Sequence, residues 1–162
     1  MSLHLKRLKI RNSLKDFLIN KTDAKDRVFT NHVSSVKPER LQPTIIIKTP
    51  IEEYEKISNR QIYLANLEIH IDCLLREQIK IEDELDLLAF QVSNALSENP
   101  TLNGMFRELV IPVKTEISID DSGDRIVGGI RTTWLATCEI NNIPEAKDLS
   151  QFTALGFKGP LK

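Results

Sequence analysis

Residues 63–73 read Tyr-Leu-Ala-Asn-Leu-Glu-Ile-His-Ile-Asp-Cys, and their side chains alternate between apolar and polar. This alternation predicts a β-strand with one buried face and one polar face. The apolar set consists of Tyr63, Ala65, Leu67, Ile69, Ile71 and Cys73. The polar set consists of Asn66, Glu68, His70 and Asp72. We therefore expect a sheet with a packed side and a side left to solvent or to a neighbour.

Other segments supply strands for the same sheet. Residues 43–49, Pro-Thr-Ile-Ile-Ile-Lys-Thr, are β-branched and apolar on both sides, which predicts a central strand. A short strand is predicted over 27–30. The polar segments on either side of the central strand, 31–42 and 50–61, are predicted to be loops.

The last patterned segment predicts a hairpin. Apolar and polar residues alternate over 113–120, and Asp121-Ser122-Gly123-Asp124 supplies the turn. The return strand has an apolar face made of Ile126, Ile130, Trp134, Ala136, Cys138 and Ile140. Gly128 and Gly129 lie inside this strand and indicate a bulge or a close backbone approach.

Two segments have the periodicity of a helix. Over residues 3–20 the expected apolar stripe is Leu5, Leu8, Leu14, Phe17 and Leu18. Over residues 81–97 the stripe is Leu85, Leu88, Ala89, Val92, Ala95 and Leu96. The first turns of the second helix carry acidic residues, which the helix dipole favours at that end.

The order of these elements predicts an α+β domain. It has a single mixed or antiparallel sheet of about five strands, with two helices packed on one face. Residues 1–141 form this domain, and residues 142–162 form a C-terminal arm without a core of its own. Phe152, Leu155 and Phe157 of the arm are spaced apolar side chains that we expect to dock on a neighbouring subunit.

Composition excludes several classes of protein. The 162 residues include 22 Lys plus Arg and 23 Asp plus Glu, for a net charge of −1, which disfavours a polycation built for nucleic acid. The two cysteines are far apart, which disfavours a disulfide framework or a zinc ribbon. We expect no secretory signal and no membrane span, because no run approaches about 20 apolar residues.

The motifs of common enzyme classes are missing. There is no glycine-rich phosphate loop before a helix, no His-Glu-x-x-His and no Gly-x-Ser-x-Gly. We therefore expect no cofactor and no catalytic residue. The strongest polar constellation is Glu68, His70 and Asp72, whose residue types bind metals or move protons. The favoured interpretation is the solvated or subunit-facing side of an amphipathic strand.

The first helix is basic, with Lys6, Arg7, Lys9 and Arg11. One interpretation is a surface helix packed on the sheet, with its cations extending into water. The other is a helix that meets nucleic acid or an acidic partner. The apolar stripe favours the first interpretation.

The order and spacing of these elements resemble the tail terminator proteins of tailed bacteriophages, the minor tail protein U group and related tail-completion proteins. The resemblance covers most of residues 1–141 and depends on no individual motif. It runs through a helix ending near Ile19 and the strands at 27–29, 43–47 and 67–71, then the helix 85–96 with Asn99-Pro100 after it, and Thr133-Trp134-Leu135 in the hairpin. The loop 31–42 is longer than the shortest family versions, and the arm is outside the shared pattern.

The resemblance implies a structural role without enzymatic activity. Such proteins form a ring, usually a hexamer, at the head-proximal end of the tail tube. The ring stops tube polymerisation and presents the surface to which the head connector attaches. The implied partners are further copies of the chain, the tube protein, the connector, and DNA that passes through the lumen without sequence specificity. The implied location is the virion tail, and the host cytoplasm during assembly.

The resemblance also implies where contacts lie. We expect Glu68, His70 and Asp72, together with the arm and the loops 31–42 and 50–61, to contact subunits or the tube. For Lys6, Arg7, Lys9 and Arg11 the resemblance adds a second expectation, that they face DNA in the lumen or an acidic partner. Three alternatives stay open: another ring-forming head–tail joining or tube component, a nucleic-acid-binding module using the first helix, and a small hydrolase or metal enzyme at Glu68, His70 and Asp72.

Overall fold

A computed structural model describes residues 3–30, 42–57, 62–77, 80–109, 112–122 and 126–141. The arm at 142–162 and almost all of the predicted loop 31–42 lie outside these residues. The helices are α1 (Leu3–Leu18) and α2 (Ile81–Glu98). The strands are β1 (Val28–Phe29), β2 (Thr44–Lys56), β3 (Ile62–Glu77), β4 (Glu108–Leu109), β5 (Lys114–Asp120) and β6 (Ile126–Asn141).

The strands form one mixed sheet. Its order is β1-β2-β3-β6, and β4 and β5 both pair with the outer edge of β6, so the sheet is five positions wide. The pair β1–β2 is parallel and the other pairs are antiparallel. α1 packs against β1 and β2, and α2 packs against β3 and β6. The predicted α+β fold is therefore confirmed.

The pair β3–β6 is the longest strand pair of the sheet. All 16 residues of each strand pair in one unbroken register, from Ile62 opposite Asn141 to Glu77 opposite Ile126. The odd-numbered residues of β3 from Ala65 to Leu75 are buried on the helix side, together with even-numbered residues of β6. The alternation that predicted both strands is thus the one that builds the core.

The predicted loop at 50–61 is wrong over its first half, because β2 continues to Lys56. The register shifts between Lys48, opposite His70, and Ile51, opposite Glu68. Thr49 and Pro50 therefore share one position opposite Ile69, which is a β-bulge. A proline is tolerated at a bulge because its missing N–H is not needed there. The distal half of β2 is largely exposed, so no apolar alternation revealed it in the sequence.

The buried stripe of α1 agrees with the predicted one at Leu14 and Leu18 and differs at Leu8 and Ile10. Ile10, Leu14 and Leu18 are buried at a spacing of four residues, whereas Leu8 is exposed. Leu8 precedes Ile10 by two residues, which places it about 200° around the helix from the buried side. The stripe of α2 is confirmed in full, with Ile81 added at its start.

The loop after α2 also contributes to the core. Leu102 and Phe106 are buried there, although the sequence assigned no element to this segment. Leu102, Asn103 and Gly104 all adopt positive φ, and the Asn99 side chain accepts a hydrogen bond from the Asn103 backbone N–H at 3.0 Å. Such a turn has no apolar periodicity that a sequence could display.

Gly128 provides the close approach that its position indicated. A Cβ at this residue would lie 2.8 Å from the Cδ1 atoms of both Ile81 and Leu85, so the glycine lets α2 lie directly on β6. The unbroken β3–β6 register excludes a bulge at this point. Gly129 points to the other face, where a Cβ would meet Leu74 Cδ2 at 3.0 Å.

We expect Gly128→Val to lower the free energy of unfolding by about 1–3 kcal/mol, because the added atoms overpack the contact with Ile81 and Leu85. Chemical denaturation followed by circular dichroism measures the change. Gly129→Val is the matched control, because a single, partly exposed side chain lies near it. Equal losses for both variants would contradict the close packing of α2 on Gly128.

Candidate functional site on the polar face of the sheet

The sheet face opposite the helices carries three of the predicted site residues, Glu68, His70 and Asp72. Its register aligns side chains from four strands in cross-sheet rows, and we call this surface the polar face. The rows are Ile46–Asp72–Arg131–Glu116, Lys48–His70–Thr133–Lys114 and Ile51–Glu68–Leu135. Glu68, His70 and Asp72 therefore lie on one face, as the sequence predicted.

Asp72 is the electrostatic centre of the polar face. Arg131 donates from Nε to Oδ1 at 2.6 Å and from Nη2 to Oδ2 at 3.0 Å. Lys48 donates from Nζ to Oδ2 at 2.6 Å. The carboxylate, in a residue only 7% exposed, thus joins β2, β3 and β6. Burial raises the pKa of Asp72, but the hydrogen bonds from Arg131 and Lys48 outweigh it and hold that pKa below its ordinary value.

Glu68 and His70 form a separate pair. His70 Nε2 lies 2.5 Å from Glu68 Oε1, two residues along the same strand. Both oxygens of Asp72 are engaged by Arg131 and Lys48, so Asp72 belongs to a hydrogen-bonded group separate from the Glu68–His70 pair. Among the residues that the structure describes, no cluster of His, Cys, Asp and Glu could hold a metal ion. The arrangement stabilises the sheet and presents paired charges outward.

Two exposed aliphatic side chains lie among these charges. Ile51 is 46% exposed and Leu135 is 41% exposed, and they flank Glu68 from the neighbouring strands. Sequence reasoning missed both. Ile51 was assigned to a loop, and Leu135 is an isolated apolar residue on the polar side of its strand. The signal that could have identified Leu135 is its break in the alternation of β6.

The two thiols lie on the helix side of the sheet. Burial raises the pKa of Cys73 to about 12 and that of Cys138 to about 11. Both cysteines are therefore protonated at neutral pH and inaccessible, and they act as small core residues.

The basic residues of α1 make contacts within the chain. Arg7 donates to the Thr49 carbonyl oxygen, and its Nε lies 3.8 Å from Glu52 Oε2. Arg11 Nη1 donates to Thr49 Oγ1 at 2.8 Å. Burial, together with the neighbouring Arg7, lowers the pKa of Arg11.

The two lysines among these four basic residues lie nearer the end of β6. Lys6 donates to the carbonyl oxygen of Glu139, and Lys9 is exposed. The structure thus directs Lys6, Arg7 and Arg11 towards β2 and β6. Contact of the four cations with DNA stays a prediction.

Comparison of the chain with protein-family models finds no match, and comparison with curated proteins finds none either. Neither helix, within the ranges described above, is long and apolar enough to cross a membrane. The functional proposal therefore depends on the order of elements and on the geometry of the polar face.

We expect Asp72→Asn to lower the free energy of unfolding by about 1–3 kcal/mol at pH 7, because Lys48 and Arg131 lose a charged acceptor. The folded-state pKa of Asp72 is lowered, so its contribution is complete above the unfolded pKa of about 3.9 and is lost as the pH falls through the folded value. Denaturation midpoints measured from pH 7 to pH 2 should show that the difference in stability between the wild type and Asp72→Asn disappears in acid. A difference that stayed constant with pH would contradict the ionic role.

We expect Arg11→Gln to lower the free energy of unfolding by about 1 kcal/mol, because Thr49 loses a charged donor. Arg11→Lys is the matched control, since it keeps the charge and loses the guanidinium geometry. Denaturation measures stability, and fluorescence anisotropy with duplex DNA at low salt measures binding. A large loss of DNA affinity without a loss of stability would show that Arg11 serves DNA instead of the fold.

Proposed function

We propose that this protein is a structural subunit of a phage tail terminator. In this proposal it assembles into a ring of about six copies that caps the head-proximal end of the tail tube. The ring ends tube polymerisation and offers the surface for head attachment. The proposal is supported by the order and spacing of the elements, which resemble those of tail-completion proteins, and by the confirmed α+β fold.

The observation that carries the proposal is the polar face. Its ionic groups are already paired with one another, and Ile51 and Leu135 stand exposed beside Glu68. Protein interfaces combine apolar contacts with polar groups that have satisfied partners. A face of this kind suits contact with another protein better than it suits binding a charged ligand. In the proposal it meets either a neighbouring subunit or the last ring of the tube.

A ring follows from a contact between two different surfaces of the same chain. Such a heterologous contact closes when its rotation permits, and each subunit then has one neighbour on either side. The partners in this assembly are further copies, the tube protein and the head connector, with DNA passing through the lumen. The corresponding location is the virion tail, preceded by the host cytoplasm during assembly.

The alternatives have less support from the geometry. A nucleic-acid-binding module would present its cations outward, whereas Arg7 and Arg11 are hydrogen-bonded to Thr49. A hydrolase or metal enzyme at Asp72 would need an available carboxylate, whereas Lys48 and Arg131 occupy both oxygens. Another ring-forming head–tail joining or tube component would share the α+β fold and the polar face. The experiment below separates it by the end of the tube that it binds.

The test uses tail tubes of the same phage, the full-length protein and the double variant Ile51→Glu/Leu135→Glu. We expect the wild-type protein to form a ring of about six copies, alone or on the tube, and to cap one tube end in negative-stain images. The double variant places charge in the contact and should lose capping, with an unchanged melting temperature.

The matched control is Leu87→Glu/Phe90→Glu, which introduces the same charges at exposed apolar residues of α2, away from the polar face. The control should cap tubes like the wild type. Tubes left uncapped by the wild-type protein would refute the terminator role, and capping that survives in the polar-face variant would refute the proposed role of this surface.

A further inference from the structure

β5 is an open edge of the sheet. Its pairing partner is β6, and none of the other described strands lies along its second edge. All seven residues of β5 are exposed on both faces. An edge strand of this length presents unpaired backbone donors and acceptors to any strand that approaches.

The apolar content of β5 makes the open edge unusual. Thr115, Ile117 and Ile119 lie on the helix side of the sheet, beyond the cover that the helices provide, and Ile117 is 48% exposed. Edge strands are normally protected by charged side chains, above all lysine, by proline, by a bulge or by a covering segment, and the charges of β5 lie on its polar side alone. Between Lys114 and Asp120 the strand contains no proline, and its register with β6 is regular.

We propose that β5 pairs with β5 of a second copy of this chain, antiparallel and centred on Ile117. The two-fold axis then places Ile117 opposite Ile117 of the second copy, and Thr115 opposite Ile119. On the polar side, Lys114 lies opposite Asp120 at both ends of the pairing, so two opposite-charge pairs form across the axis. The exposed isoleucines of the two strands come together in one apolar row.

Charge selects this register over its neighbours. Side chains of the same face meet across a two-fold axis only when the axis lies at a residue and not between two residues. The neighbouring registers are therefore centred on Glu116 and on Ser118. Centring on Glu116 would place Glu116 opposite itself, and centring on Ser118 would place Glu116 opposite Asp120. Both put acid against acid, which destabilises cross-strand pairs. Of these three registers, only the one centred on Ile117 is complementary.

The distal half of β2 fits β5 less well. Residues Ile51–Lys56 form the other long edge, because β1 pairs only with Ile45 and Ile46. This edge carries Glu52, Glu53 and Glu55 against a single Lys56, and β5 is itself acidic overall. A second β5 is therefore the better partner. The contact is isologous and runs along the outer edge of β5, whereas Ile51 and Leu135 lie on β2 and β6, so it is a second contact beside the proposed ring contact.

Cysteine cross-linking tests the register in the full-length protein. The native thiols Cys73 and Cys138 are buried, so an introduced cysteine on β5 is the accessible one. We expect Ile117→Cys to form a disulfide-linked dimer under mild oxidation, because the paired positions lie about 5 Å apart. Glu116→Cys and Ser118→Cys should cross-link several-fold more slowly, since each lies about 7–8 Å from its copy. Fastest cross-linking at 116 or 118, or none at 117, would overturn the proposal.

A charge swap tests the same pairing with Ile117 intact. Lys114→Glu and Asp120→Lys each place like charges opposite one another at both ends, and we expect either to weaken dimerisation about tenfold in sedimentation velocity. The double variant Lys114→Glu/Asp120→Lys restores the pairs and should restore the affinity. Equal affinity in all four proteins, or a wild type that stays monomeric at the highest soluble concentration, would refute the pairing.

The two proposals fail separately. The Ile51→Glu/Leu135→Glu variant alters the polar face and should retain the Ile117→Cys cross-link. Loss of the cross-link in that background would show that the β5 pairing depends on the polar face, which contradicts an independent two-fold contact.

Discussion

The long antiparallel pairing of β3 with β6 is the constraint on which the rest of this structure depends. Its register decides which residues of both strands meet the helices and which form the polar face. A slip of one residue in either strand would exchange its two faces and bury charges such as Asp72 under α2. The same register brings Arg131 beside Asp72 and sets Gly128 beneath Ile81 and Leu85. Core, ionic centre and helix packing therefore share one cause.

The bulge at Thr49 and Pro50 is the second decisive feature. Without it, Ile51 would lie opposite Leu67 and point towards the helices, whereas the observed shift places it opposite Glu68 on the polar face. Bulges redirect side chains in this way without ending a strand. The same bulge supplies the Thr49 oxygens that bind Arg7 and Arg11. One irregularity thus creates an exposed apolar residue and anchors the basic helix.

Both proposals place contacts between proteins on the exposed surface of the sheet. Asp72 is paired with Lys48 and Arg131 within the chain, and the whole sequence has a net charge of −1. Apolar groups are exposed on the polar face and along β5. The proposed ring contact uses the first surface and the proposed two-fold pairing uses the second. Both surfaces are formed by strands of the same sheet.

The sequence by itself determined the fold class and the core positions of β3 and α2. The alternation over residues 63–73 and the stripe of α2 are local patterns that follow directly from burial of one face, so they predicted β3 and α2 closely. They also placed Glu68, His70 and Asp72 on a common face, which the register confirms.

Only the tertiary structure decided how these residues are used. The extension of β2 past Pro50, the partners of Asp72 and the contacts of Arg7 and Arg11 depend on residues distant in the chain. Exposed, charged strands lack the alternation of apolar residues by which a strand is predicted from sequence. The partners of an ion pair between strands are set by the strand register and not by their spacing along the chain. Local patterns therefore specified the buried faces of β3 and α2, and long-range strand pairing specified which exposed residues meet.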